Sequence, residues 1–437
     1  MVEKYRLFTG LFFGALWIAL CFGFVAEEFI PPLLPLRSFV MLFCDIVFLI
    51  LGLFSLRDRR DLIVFFSFVL IGGVSSVLNG LGPVFIINGA RDFFGILFAI
   101  PICRMLLKSH YRDRFVSSFD RQLKIFLVLQ AICLTWQFIR YGANDHGGGT
   151  MGFGYSGIVS TLIYITSFYL LSKYWTFGNY WVNMGKYKVY FILLYPTFLN
   201  ETKISFIFLL AYFLLLLPIE WKTVFKIMVS IPLIVFFLLF AGYSYLVITG
   251  QVVEGVFSEE AMNDYMVGED PEELLELVEA LQDDVYDKED VGMLDIPRFT
   301  KLFVMPDAVM DSQGGLLLGA GLGQFKGGSV LDYTPFAERW TYLLSGSIVG
   351  ALIIFIQMGL LGFVWFLYNM VSVLIPRSPL LLGNNIKLYV ALILSLVMFY
   401  NDALRFFPFC FIIFYIVLRG YVGVKEPVKS KTEGIEC

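Results

Sequence analysis

Long, nearly uncharged runs of apolar residues constrain this 437-residue chain more than any other feature. Leu7 to Phe24, Phe39 to Phe54, Leu123 to Ile139 and Val229 to Ile248 each approach the ~20 residues that a helix needs to cross a ~30 Å hydrocarbon core. Inside hydrocarbon every backbone amide and carbonyl has to be paired within the protein, which leaves helices or closed barrels. Barrel strands would alternate in character over ~10-residue segments, and these runs do not. Composition agrees: only 16% of the residues are charged, against roughly 25% in a soluble domain, too few to keep a water-facing surface wet. The expected fold class is all-α, a polytopic membrane protein.

Spans are expected near residues 7–26, 38–55, 62–79, 91–107, 123–140, 156–173, 183–199, 203–219, 226–248, 341–369, 386–400 and 404–420, twelve in all. Lys4 and Arg6 precede the first and no small-x-small cleavage site follows it, so it reads as an uncleaved span. With the amino terminus inside, cytoplasmic ends and loops receive 22 of the 32 Lys and Arg residues and the outside receives 10, the positive-inside bias. Asn200-Glu201-Thr202-Lys203 is read as the tip of an outer hairpin between two spans, because one continuous span there would carry the basic tail outside. The resulting plan has nine spans in residues 1–248, a large external loop over 249–340, three spans in 341–420 and a cytoplasmic tail over 421–437.

The external loop begins acidic, with 16 Asp and Glu against the single base Lys288 between Glu254 and Asp295. That sign of charge disfavours nucleic acid. Asp270-Pro271 is a plausible cap for a helix with Leu274, Leu277, Val278, Leu281 and Val285 on one stripe, a solvated lid or spacer. Without an Asp-x-Asp-x-Asp-Gly loop, a cation site is the lesser reading. After Asp295 the loop turns apolar and glycine-rich and is expected to pack back on the membrane face. Five of the six cysteines lie in apolar spans and the sixth ends the tail, so no disulfide framework is expected outside. With two histidines in the chain, a histidine-rich zinc site is not expected either.

This topology gathers scarce cations at the outer boundary: Arg91 at the start of one span, Arg140 at the end of the next, Lys203 beside Glu201 on the hairpin, and Arg298, Lys301 and Arg339 in the loop. Singly, each has a structural reading: Arg91 paired with Asp92, Arg339 with Glu338, Lys203 with Glu201. As a set, cations from separate elements at one depth suit a phosphate-bearing headgroup, which guanidinium engages with paired hydrogen bonds. A polyprenyl diphosphate carrying a glycan fits: the tail would lie between helices, the cations would stabilise the departing diphosphate, and Glu201 would take a proton from the attacking sugar hydroxyl.

Arg298, then Leu318-Gly319-Ala320-Gly321-Leu322-Gly323-Gln324-Phe325, then Thr341-Tyr342-Leu343 and Gly359-Leu360-Leu361-Gly362, follow one another in the order seen in the O-antigen polymerase and O-antigen ligase superfamily. Over residues 85–370 the chain resembles that superfamily, with Thr150-Met151-Gly152-Phe153-Gly154 similar to its glycine-rich lead-in to the following span. Thr202-Lys203 stands where the family has Ser-Arg, and Arg339-Trp340 where its ligases have His-Asn, which favours polymerase over ligase. The resemblance implies a glycosyltransferase C-like membrane fold in a bacterial inner membrane with both termini cytoplasmic. It implies an inverting, metal-independent transfer, without a cofactor, that joins polyprenyl-diphosphate-linked oligosaccharide units into a surface polysaccharide. A chain-length regulator in the membrane is an implied partner. Arg298, Lys203, Arg91 and Glu201 are the expected catalytic set. Arg140, Lys301, Arg339, Gly321, Gly323 and Tyr342 are the expected substrate-binding set. A ligase with another acceptor, or a transporter or flippase, is the alternative; against a carrier stand the lack of an internal repeat and the placement of the charges at the edge.

Overall fold

The structure, a computed structural model, describes residues 2–142, 147–175, 180–200, 204–217, 298–325, 334–340, 343, 349–374 and 381–421. These residues form helices α1 (Val2–Glu28), α2 (Arg37–Ser55), α3 (Arg59–Leu78), α4 (Pro83–Ala90), α5 (Phe94–Lys108), α6 (Arg112–Tyr141) and α7 (Ser156–Ser172). Short pieces α8 (Tyr180–Lys186), α9 (Lys188–Ile192) and α10 (Pro196–Leu199) lead to α11 (Ile204–Leu215). After the acidic segment come α12 (Arg298–Met310), α13 (Gly315–Leu318), α14 (Pro335–Trp340), α15 (Gly350–Leu374), α16 (Leu381–Tyr400) and α17 (Phe407–Tyr421).

Among the described residues, six helical stretches are long and apolar enough to cross a membrane: Tyr5–Glu28, Pro31–Ser55, Arg59–Leu78, Pro83–Lys108, Arg112–Tyr141 and Gly350–Leu374. Among the described residues there is no strand, and the chain is an all-α protein of the membrane type. Shorter apolar helices, Ser156–Ser172, Lys188–Leu199, Ile204–Leu215, Asn385–Tyr400 and Phe407–Arg419, stand where further spans are expected. The expected span 226–248 and the acidic segment lie outside the described residues.

Three boundaries differ from the sequence reading, each for a local reason. The span expected at 91–107 begins at Pro83, which supplies a ready-made first turn, and runs through a 3-10 turn at Arg91–Phe93 into α5. The span expected at 183–199 is broken. Leu194, Tyr195 and Thr197 donate to carbonyls three residues back, and Pro196 has no amide to donate. The span expected from 341 begins at Gly350, and α15 is interrupted at Gly359, whose φ of 60° and ψ of -158° no helix contains.

The helices fall into a central and a peripheral group. Phe409 through Val417 on α17, and the length of α7, are buried on all sides, whereas α2 and α3 leave Phe39, Phe43, Phe54, Phe66, Leu70 and Val77 exposed. In a membrane those outer faces meet lipid, which is as apolar as the core, so burial pattern and hydrophobicity part company. Tight helix contacts use small residues: a Cβ on Gly95 would lie 2.7 Å from Cys410 Sγ. A stack of aromatic rings, Phe48 on Phe407 with centroids 3.9 Å apart and Phe12 on Phe411 at 4.3 Å, ties α1 and α2 to α17.

The segment after the acidic stretch does fold back. Ala308, Val309, Ala320, Trp340, Leu343 and Val349 pack with Leu352 and Ile356 of α15 in a second, smaller core. Leu302 belongs to the edges of both cores and joins them.

Candidate functional site

The 3-10 turn between α4 and α5 places two adjacent charges in different directions. Consecutive residues of a 3-10 turn point about 120° apart, and Arg91 and Asp92 do not pair with each other as the sequence reading allowed. Arg91 instead reaches α2, where its Nη2 donates to Asp45 Oδ2 at 2.7 Å and its Nε to the same oxygen at 3.1 Å. Its Nη1 donates to Asn88 Oδ1 at 3.0 Å. Asp92 turns inward and is nearly buried. It accepts from Arg405 Nε at 3.0 Å and from Gln357 Nε2 at 3.4 Å. Arg405 also donates to Asp402 at 3.0 Å.

Position along the helix is the main correction. Asp45 is eight residues into α2 from Arg37, and Arg91 eight residues past Pro83, so at a 1.5 Å rise both lie about 12 Å in from their helix ends. The expectation of Arg91 at the mouth of its span came from treating the charge pair as a boundary. Charges this far along an apolar helix are costly unless paired, and here each finds its counter-ion on another element.

The glycine run 319–323 is seated against this network. Ala320 and Gly321 donate their amides to Ile356 O at 2.7 Å and Gln357 O at 3.2 Å. Those carbonyls would serve the next turn of α15 were the helix not interrupted at Gly359. Leu322 donates to Ser76 Oγ at 2.8 Å, and Gly323 to Gln357 Oε1 at 3.1 Å. Gly319 O accepts from Ser75 Oγ at 3.2 Å and Asn79 Nδ2 at 3.1 Å. The loop is therefore the cap of a broken helix, and the amides of Gly321 and Gly323 are spent on it, unlike those of a phosphate-cradling loop. Close approach demands glycine: a Cβ on Gly323, at φ 82°, would lie 1.9 Å from Phe85 O, and one on Gly89 would lie 2.0 Å from Gly323 N. Gln357 thus bonds the loop through its oxygen and Asp92 through its nitrogen.

A second cluster sits at the same end. Arg37 Nη1 donates to Glu27 Oε1 at 2.6 Å and Nη2 to Met151 O at 3.1 Å, while Phe153 N donates to Glu27 Oε2 at 2.7 Å. Gln130 and Gln137 hold the other side of that loop: Thr150 N and Gly149 N donate to their side-chain oxygens at 3.0 and 2.8 Å. Arg140 Nη1 and Trp136 Nε1 both donate to Glu28 Oε2, at 2.7 and 3.0 Å. Arg37 lies over the Tyr155 ring, which packs on Phe406, the neighbour of Arg405, so the two clusters form one belt.

Of the expected site residues, Arg91, Gly321 and Gly323 meet in this belt and Arg140 joins it through Glu28. Arg339 pairs with Asp311 at 3.0 Å, not with Glu338, and also covers the Trp340 ring. Lys301 is buried in α12. Arg298 begins α12 with its side chain outside the described residues, and Glu201, Lys203 and Tyr342 lie outside them altogether. Asp45, Gln357 and Arg405 were not singled out from sequence. An acid within span 38–55 and an amide within 341–369 were the available signals for the first two. No protein-family model matches the chain, and no characterised protein matches it in sequence.

Proposed function

We propose that this chain is a glycosyltransferase of the bacterial cytoplasmic membrane that joins polyprenyl-diphosphate-linked oligosaccharide units into a surface polysaccharide on the outer face. The observation that carries the reading is the packing of Gly323 on Gly89, two residues before Arg91. The glycine run of the resembling succession thereby lies beside Arg91, an expected catalytic residue more than 200 residues away in sequence. In this reading Arg91, about a third exposed and held by Asp45, presents its free edge to a diphosphate, and Arg405 adds positive potential from the far side of Asp92. The same reading assigns Lys203 and Arg298 as further cations and Glu201 as the base, as expected from sequence. Arg140 and Arg339, both about half exposed, face the approach of the glycan in this reading. Ligation to another acceptor uses the same donor chemistry and is the variant reading.

A second reading has its own support. A helix interrupted in mid-course, with ionisable groups about 12 Å from the helix ends, is the way many carriers build a substrate site. Proteoliposomes separate the two. With lipid-linked single repeats supplied in the membrane, the polymerase reading expects longer lipid-linked glycans to form without added metal. A change of compartment with no change in covalent structure would establish the carrier instead.

A further inference from the structure

Away from the Arg91 belt, at the opposite end of α6, the first turns of that helix line a groove of about 500 Å³ together with Tyr174 and Arg419. Asp113, Ser117, Asp120, Arg121 and Lys124 recur at intervals of three and four residues, which puts them on one face of α6. A second groove of about 440 Å³ adjoins it along the same helix and adds Arg114.

The charge balance of the groove favours an anion. Asp120 is already committed: Lys173 Nζ lies 2.5 Å from its Oδ2, and the hydroxyls of Tyr169 and Tyr415 donate to its Oδ1 at 3.0 and 3.1 Å. Arg121 and Lys124 are exposed and make no ion pair among the described residues, and Arg419 lies across the groove from them. Asp113 is the remaining acid, and it sits in the first turn of α6, where the helix dipole favours a negative charge.

Two features say what kind of anion. Thirty residues make α6 about 45 Å long, some 15 Å more than a hydrocarbon core, so its charged first turns reach headgroup depth while its apolar part spans. Along the stripe that continues from Arg121 and Lys124, Ile125, Val128 and Ile132 are exposed at 46%, 47% and 60%. A cationic cup with an open apolar track leading away from it matches an amphiphile and not a free ion.

We propose that this groove is a binding site for an anionic phospholipid, its phosphate on Arg121, Lys124 and Arg419 and an acyl chain along Ile125, Val128 and Ile132. The site is independent of the glycan chemistry proposed above. It is tested with the full chain purified in neutral detergent, by native mass spectrometry after equilibration with phosphatidylglycerol or with phosphatidylcholine of the same acyl chains. The expected result is selective retention of phosphatidylglycerol, reduced on the order of ten-fold in Arg121→Gln/Lys124→Gln. Arg57→Gln/Arg59→Gln, which removes the same charge from exposed positions at the same end, is expected to retain it. Equal retention by all three proteins, or equal retention of phosphatidylcholine, overturns the proposal. Excess inorganic phosphate is expected to leave the lipid bound, whereas full displacement would assign the groove to free phosphate and overturn the lipid. If the double variant does not fold, the wild-type protein decides: retention should fall as ionic strength rises, and retention independent of salt contradicts a phosphate contact.

Discussion

At the end of the bundle marked by Glu28, the described arginines Arg37, Arg91, Arg140 and Arg405 each bond a carboxylate from another element. At the end marked by Lys108, the pairs Lys108 with Asp58, Arg104 with Asp61 and Lys173 with Asp120 are accompanied by Arg121 and Lys124, which have no counter-ion among the described residues. The first end is an interior: its charges are matched across helices, its loops are bonded by buried Gln and Glu side chains, and glycines let backbones touch. The second keeps one buried pair, Arg104 with Asp61, and is otherwise a surface with positive charge left over. Matched charge fixes geometry, and unmatched charge leaves affinity for an external anion.

The contrast can be broken by substitution, and the largest effect is expected where backbones touch. Gly323→Ala drives a methyl group into Phe85 O and strains a positive φ, so a loss of about 4 kcal/mol or release of the loop is expected. Limited proteolysis within residues 311–325 checks it, and an unchanged digestion pattern would mean that the loop does not cap α15. Next is Asp92→Ala, which removes a nearly buried carboxylate from Arg405 and Gln357. About 3 kcal/mol is expected as a lowered unfolding midpoint in detergent. A change within error would make the network ornamental.

Glu27→Ala should cost less, about 2 kcal/mol, because Arg37 retains Met151 O while the Phe153 amide loses its acceptor. Amide exchange confined to residues 149–153 would sharpen this to the loop.

The smallest effect belongs to the other end. The hydrogen bond from Lys108 holds Asp58 below its ordinary carboxylate value. A depressed folded value means stability that is present above the unfolded value and lost as pH falls through the folded one, so Lys108→Ala should matter at neutral pH and not in acid. Both groups are largely exposed, so the loss is expected to stay under about 1 kcal/mol even at neutral pH. A larger loss would show that this end too is built as an interior.

How far the sequence carries is clear from particular residues. Runs such as Leu7 to Phe24 contain their own instruction, because apolar length and the need to pair every backbone group leave a single choice. The glycine run was visible as a motif, but its role was not: Gly323 meets Gly89 across more than 200 residues, and the capping of a helix broken at Gly359 by Ala320 and Gly321 spans 36. Arg91 was legible as an unusual charge but placed at the start of its span, since a neighbouring Asp92 made it look like a boundary, whereas the helical stretch begins at Pro83. Arg405 was counted only as one of the outer cations, because nothing local ties it to Asp92, 313 residues away. Local chemistry is written along the chain, and pairing between distant charges is not.

Arg91→Gln in the native host, followed by separation of lipid-linked glycans by length, tests the central claim most directly. The glutamine amide, close to where Arg91 Nε donates to Asp45, keeps that hydrogen bond within reach while the charge offered to a diphosphate is removed. The account expects single lipid-linked repeats to accumulate and long chains to vanish while protein level in the membrane stays normal. A normal ladder of chain lengths in that strain would contradict it.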